Sequence, residues 1–329
     1  MSRLLVALGG NAMTAPDGSA APADQIAAVN RAAAPIAELI ATGHEVLVTH
    51  GNGPQVGNLL VKNELAAAVV PPVGLDWCGA QTQGTIGFIL INAVERALAA
   101  RGLVRPVAAV VTRTVVDAAD PGFTHPTKPI GRYLPAAEAK AMIDHGQVWE
   151  DRGERGWRRV VASPEPLEVL DAPVVGLLAA AGVVVVAGGG GGIPVVRDPD
   201  GGLRGVEAVI DKDLAAAILA RSVGADVLVI ATDVPAAMLD WGTPAARPLG
   251  VVGVAELRRY AAAGHFGSGA MGPKVEAACR FVEHGGRRAV ITDLDRISAA
   301  SRGEAGTVVL PDEPPQTPEP GQTAVREEG

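Results

Sequence analysis

Apolar residues fall into short unbroken runs separated by longer stretches whose apolar positions recur at helical spacing. Runs rich in Val, Leu, Ile and Ala lie at Leu4 to Leu8, Val46 to Thr49, Val107 to Val111, Val183 to Ala187, Val227 to Ala231 and Ala289 to Thr292. Runs of this kind suit strands of a mostly parallel sheet buried on both faces by crossover helices. The intervening helices are predicted at Ala23 to Ala41, Gln55 to Ala67, Thr82 to Ala100, Asp211 to Val223, Val254 to Ala263 and Lys274 to His284. The first of them is rich in Ala and stops at Gly43, which makes the opening segment a βαβ unit.

Two segments break the alternation. Between about 114 and 166 the chain turns polar and dense in Pro, Gly, Asp and Arg, which predicts a subdomain inserted into a single domain spanning 1–310. Residues 311–329 are rich in Pro, Glu and Gln and bury too little apolar surface to offset their ordering entropy, so a disordered tail is expected there. No repeat of solenoid length is present.

Hydrophobic residues make up 48% of the chain and charged residues 19%, which excludes a largely disordered protein. The net charge of −8 provides no broad positive field for a nucleic acid. Cys78 and Cys279 stand far apart without a C-x-x-C pair, which fits a reducing cytoplasm better than a disulfide framework or a four-cysteine zinc site. The run after Arg3 is cut short by Gly9-Gly10-Asn11 before it could serve as a signal peptide. The uncharged stretch Ala172 to Val196 is interrupted by Pro173, the glycine run and Pro194, and reads as a helix, a buried strand and a loop instead of a membrane span.

Three glycine clusters follow directly on predicted strands: Gly9-Gly10-Asn11, Gly51-Asn52-Gly53 and the run Gly188 to Gly192. Glycine there permits positive φ and close approach of backbone N–H groups to an anion, so the clusters are candidate phosphate nests at one sheet edge. Any one alone reads equally well as a tight turn. No G-x-x-x-x-G-K-[ST] occurs, and Gly192 leads into an extended Ile193-Pro194-Val195-Val196, against a dinucleotide fingerprint.

Lysines are scarce, and three stand in turn-rich contexts. Lys128 lies between prolines in the inserted segment, while Lys212 and Lys274 open predicted helices. Each alone reads as a solvated cation or a local ion-pair partner. A lysine at a helix N-terminus opposes the helix dipole, however, and an anion between Lys212 and Lys274 would remove the conflict. Asp211 and Asp213 are candidate helix caps, and one of them could hold Lys212 instead. His50 reads as a strand-end hydrogen-bonding residue. With no H-E-x-x-H and no G-x-S-x-G, and with no evident partner to activate Cys78, positioned charge and backbone donors remain. Those are the needs of phosphoryl transfer to an acceptor that is already anionic.

The segments Val6 to Ala12, Thr49 to Gly57, Asp120 to Gly131, Gly205 to Leu214 and Met271 to Ala278 together resemble the carbamate kinases of the amino acid kinase superfamily. The likeness runs from about Arg3 to Leu310. It implies a three-layer αβα sandwich with a mostly parallel open sheet, a small protruding subdomain and a homodimer. The implied reaction is reversible phosphoryl exchange between ATP plus carbamate and ADP plus carbamoyl phosphate, with Mg2+ held mostly by phosphates and water and no protein metal ligand. By the same resemblance Gly9, Gly10, Asn11, Gly51, Asn52 and Gly53 cradle the carbamoyl phosphate, and Lys128, Lys212 and Lys274 neutralise charge. Asp211 orients lysines, while Gly188, Gly189, Gly190, Thr232, Asp233 and Met271, with Lys274, face the nucleotide. Arg113, Val234 to Ala237 and Gly269-Ala270 depart from the family pattern and bear on the adenine pocket. The alternatives are a relative phosphorylating another small carboxylate and a nucleotide-binding regulatory protein.

Overall fold

The computed structural model describes residues 2–14, 21–267 and 270–312. Its centre is an eight-stranded sheet. In spatial order the strands are Val251–Gly253, Thr307–Leu310, Arg288–Asp293, Val227–Thr232, Arg3–Leu8, Glu45–His50, Val184–Val186 and Val107–Ala109. All neighbours run parallel except Arg288–Asp293 and Thr307–Leu310, which pair antiparallel.

Burial on both faces explains the unbroken apolar runs. Side chains alternate across a strand, and in Arg3–Leu8 they divide between two cores. Leu5 and Ala7 join Val175, Leu219, Cys279 and Phe281 on one side, and Leu4, Val6 and Leu8 join Val29, Ile36, Ile86 and Leu90 on the other. Helices Pro22–Ala41 and Leu75–Ala99 cover the second face, while Lys212–Ser222 and Met271–Glu283 cover the first. The result is the three-layer αβα arrangement with a mostly parallel open sheet.

All six predicted strands and six predicted helices form, with shifted ends. Helix Leu75–Ala99 begins seven residues before the Thr82 expected from the pattern, because its first turns bury Leu75 and Cys78 against Val56 and Leu60 in a smaller core. The strands Val251–Gly253 and Thr307–Leu310 carry apolar runs of only two and three residues, Val251-Val252 and Val308 to Leu310, too short to stand out as the run Val107 to Val111 does.

A second sheet orders Leu203–Gly205, Ile193–Arg197, Arg113–Val116 and Pro166–Val169. The outer end of the inserted region is a three-stranded sheet of Lys128–Leu134, Trp157–Val161 and Trp149–Asp151, with helix Ala136–Asp144 against it. Asp312, placed in the tail by composition, is ordered: its carboxylate accepts from Ala255 N at 3.0 Å at the start of helix Val254–Ala262. The rest of the expected tail, 313–329, lies outside the described residues. No helix among the described residues is long and apolar enough to cross a membrane.

Candidate active site

The carboxyl ends of the parallel strands open onto one edge, and the glycine turns gather there. The first two are pressed together: a Cβ on Gly51 would stand 3.0 Å from Gly10 N, and one on Gly9 would stand 3.0 Å from the Ala231 carbonyl oxygen. Not every amide in these turns is open to a ligand. Gly9 N donates to Ala231 O at 2.9 Å and Gly51 N to Leu8 O at 3.0 Å, which extends the sheet ladder. Gly10 and Gly53 lie outside these bonds. Gly53 and Pro54 start helix Gly53–Ala66, whose first-turn N–H groups point to the same edge. The backbone of Asn11 belongs to a short 3-10 turn, Gly10–Met13; its side chain is outside the described part.

The run Gly188 to Gly192 is buried and held by side chains. Thr49 Oγ1 donates to Gly188 O at 2.8 Å, Gln83 Nε2 to Gly189 O at 3.1 Å and Thr114 Oγ1 to Gly191 O at 2.8 Å. Gly188 N donates to Thr112 Oγ1 at 2.7 Å. Glycine is required because Gly190 has φ +67° and a side chain there would collide with Asn52, while one at Gly189 would collide with the His50 ring. Asn52 in turn donates through Nδ2 to Thr82 Oγ1 at 2.9 Å. Three strand spacings, roughly 14 Å, separate the ends of Val184–Val186 and Val227–Thr232, which carry Gly188 to Gly190 and Thr232 with Asp233. The glycines lie beside His50 and Asn52. Thr232 sits next to Gly9, with its hydroxyl 3.0 Å from Asp233 Oδ1.

The three lysines converge through two carboxylates. Lys128 Nζ lies 2.6 Å from Asp211 Oδ2. Lys212 Nζ pairs with Asp213 Oδ1, and Lys274 Nζ lies 2.8 Å from Asp213 Oδ2. Asp211 caps helix Lys212–Ser222, its Oδ1 accepting from Asp213 N at 2.9 Å and Leu214 N at 3.3 Å. Three ammonium groups against two carboxylates leave one positive charge in excess, and Ile210, just before Asp211, packs against Gly191. Asp213, one of the two candidates for a cap or for holding Lys212, is the anion between Lys212 and Lys274. Its place beside Lys212 signalled the first pairing, and nothing in the sequence signalled the second.

Each lysine is held by local structure. Lys128 is placed by a contact between backbones: a Cβ on Gly57 would stand 2.8 Å from Gly131 Cα, so helix Gly53–Ala66 and the Lys128–Leu134 hairpin meet where neither has a side chain. Lys212 and Lys274 stand in the first turns of helices that pack against each other, and Met271 opens the second of them.

Burial and charge set the protonation states. Burial raises the Asp213 carboxyl, but Lys212 and Lys274 outweigh it and hold it at about 2. Burial lowers Lys212, and the repulsion of Lys274 adds to that against the attraction of Asp213. Burial also takes His50 down to about 4, helped by the nearby Lys212 charge and opposed by its hydrogen bond to Gly51 O, so the ring is neutral at pH 7. Arg113, one of the departures from the family pattern, is tied at 2.8 Å to Asp171 on the protein surface.

Beside this cluster a cleft of about 1390 Å³ runs from Gly53 and Thr82 under Pro129, Gly131 and Arg132 of the hairpin. Its wall does not include the three lysines, whose heads are committed to Asp211 and Asp213.

The amino acid kinase family model matches residues 2–293. The chain is 47% identical to a carbamate kinase of Thermococcus kodakarensis, over 94% of this chain and 99% of the relative. It is 45% identical to carbamate kinase 1 of Enterococcus faecium, over 93% of this chain and 98% of that one. The structure is similar to carbamate kinase from Giardia lamblia bound to AMP-PNP, with a TM-score of 0.88 at 38% identity, covering 94% of this chain and 99% of the other. The chain belongs to the amino acid kinase family, and within it to the carbamate kinases.

Proposed function

We propose that the lysine cluster and the adjoining glycine turns carry reversible phosphoryl transfer between ATP plus carbamate and ADP plus carbamoyl phosphate. The observation that carries this reading is the gathering of Lys128, Lys212 and Lys274 around Asp211 and Asp213. Near-full-length identity to carbamate kinases supports the same chemistry.

Carbamate is a small carboxylate whose oxygen is anionic at neutral pH, so its attack on phosphorus requires no general base. The site agrees with that requirement, since its buried imidazole, His50, is neutral and its carboxylates are bound to lysines. The barrier to overcome is repulsion between two anions. Lys212 and Lys274 supply fixed positive charge at the migrating phosphoryl group, where it is worth most because the surroundings exclude water. Lys128 enters from the hairpin and closes the site over the carbamoyl group. Amides of Gly10, Asn11 and Gly53 and the Asn52 side chain orient the non-reacting oxygens. Thr232, Asp233 and Met271 face the nucleotide, and ATP or ADP is the phosphoryl carrier.

When bound with the nucleotide, Mg2+ would supply further neutralisation of its phosphates. The carboxylates of Asp211 and Asp213 are engaged by lysines, so in this reading the metal would be held mostly by phosphates and water. A single domain with a protruding lid, a homodimeric assembly and a cytoplasmic location complete the reading.

The test is ATP formation from ADP and carbamoyl phosphate by the purified full chain with Mg2+. The reading predicts ATP in proportion to carbamoyl phosphate consumed, lost on chelation and restored by added Mg2+. Nucleotide binding without turnover would favour a regulatory protein, and turnover with another acyl phosphate alone would favour a different carboxylate.

A further inference from the structure

The Lys128–Leu134 hairpin has a second face that the reaction does not use. Lys128 points inward to Asp211, and Ile130, two residues on, is buried with Val56, Leu60 and Cys78. Pro129 between them faces outward, as strand alternation requires. On that side a pocket of about 280 Å³ is lined by Pro129, Tyr133, Arg152, Arg155 and Arg158. Tyr133 and Arg158 are cross-strand partners; the Arg158 guanidinium lies 5.1 Å over the Tyr133 ring, and Arg158 Nη1 donates to the Tyr133 hydroxyl at 3.4 Å. Hydrogen bonds from Arg155, then Arg158, hold the Tyr133 phenol below its usual range.

No carboxylate lines this pocket. Arg152 is bridged to Glu150 at 2.5 Å, whereas Arg155 and Arg158 have no acidic partner among the described residues. Arg158 Nε is buried and has no hydrogen-bond acceptor. Three guanidinium groups converging in a chain of net charge −8 repel one another, and an anion among them would turn that repulsion into attraction. Guanidinium forks match the oxygens of a phosphoryl group two at a time, which a point charge such as lysine cannot do. We propose that Arg152, Arg155, Arg158 and the Tyr133 hydroxyl form a second anion site that binds a phosphate or phosphomonoester dianion on the outer face of the hairpin. Because Pro129 and Arg158 also line the large cleft, an occupant would stiffen the hairpin that carries Lys128.

The experiment is calorimetric titration of the full chain with inorganic phosphate and, separately, with methyl phosphate. It compares wild type, the Arg152→Ala/Arg155→Ala double variant, Arg155→Lys and Lys212→Ala. Arg152 and Arg155 are exposed, so the two arginine variants leave the fold and the phosphate-free turnover unchanged. The proposal predicts two phosphates per wild-type chain and one in the double variant and in Lys212→Ala. Arg155→Lys, which keeps the charge but loses the fork, weakens the outer site about tenfold. Binding of methyl phosphate at the outer site identifies a monoester site, and binding of inorganic phosphate alone identifies a free-ion site; both sustain it. A single phosphate per wild-type chain, lost in Lys212→Ala and untouched by the arginine changes, would overturn it. Stoichiometry is read without turnover, so failure of this proposal is distinct from failure of the proposed reaction.

Discussion

Lys274 Nζ lies 2.8 Å from Asp213 Oδ2, although the two residues are 61 positions apart and belong to different helices. Both are buried, and the other oxygen of the same carboxylate holds Lys212. A carboxylate shared by two ammonium groups fixes the spacing of both and leaves each with donors for a further anion. The pairing therefore joins packing of the two helices to the electrostatics of the site.

Asp213→Asn removes the shared charge while keeping the shape, leaving two buried ammonium groups to face an amide. Breaking a buried pair in this way is expected to cost about 3 kcal/mol. Urea unfolding checks this through the midpoint, with turnover falling in parallel. A stability change under about 0.5 kcal/mol would mean that solvent already screens the pair.

Asp211 has two roles that substitution separates. Asn caps a helix as well as Asp does, so Asp211→Asn is expected to keep stability within about 0.5 kcal/mol of wild type, whereas Asp211→Ala loses roughly 1 kcal/mol with the cap. Both lose the ion pair to Lys128, so both are expected to weaken carbamoyl phosphate use. Unfolding curves and KM for carbamoyl phosphate, measured on the two variants together, check the separation. An unchanged KM in Asp211→Asn would show that Lys128 needs no anchor.

His50 makes stability depend on pH. Its folded value of about 4 lies below the 6.5 of an unperturbed histidine, so between these values the unfolded chain binds the extra proton. Stability is therefore unaffected above about pH 7 and falls as pH drops from about 6.5 towards 4. A His50→Gln variant, which cannot take up that proton, is expected to lose less stability than wild type across the same window. Thermal unfolding of both proteins at several pH values checks this, and parallel curves would contradict it.

The central fold was legible because its strands are buried on both faces, which writes Leu4 to Leu8 or Val227 to Ala231 as unbroken apolar runs. Strands Val251–Gly253 and Thr307–Leu310 were not, since their apolar runs are only two and three residues long. The three lysines could be picked out by their turns, and Asp211 and Asp213 as candidates to hold them, but not the pairing among them. Asp211 and Asp213 flank Lys212 in sequence, and which of them meets Lys128 or Lys274 is decided by how two helices and a hairpin pack. The surroundings of the run Gly188 to Gly192 were hidden for a related reason. Glycines suited to a phosphate nest are equally suited to a buried turn, and the contacts of Thr49, Gln83 and Asn52 that distinguish the two come from distant segments.

The most direct measurement is the turnover of Lys212→Ala set beside its affinity for ADP. If Lys212 stabilises the charge that builds on the phosphoryl group in flight, kcat falls by about a thousandfold or more while ADP binding changes by no more than about threefold and the protein stays folded. A variant that turns over within about tenfold of wild type would contradict the assignment of the lysine cluster as the place of phosphoryl transfer.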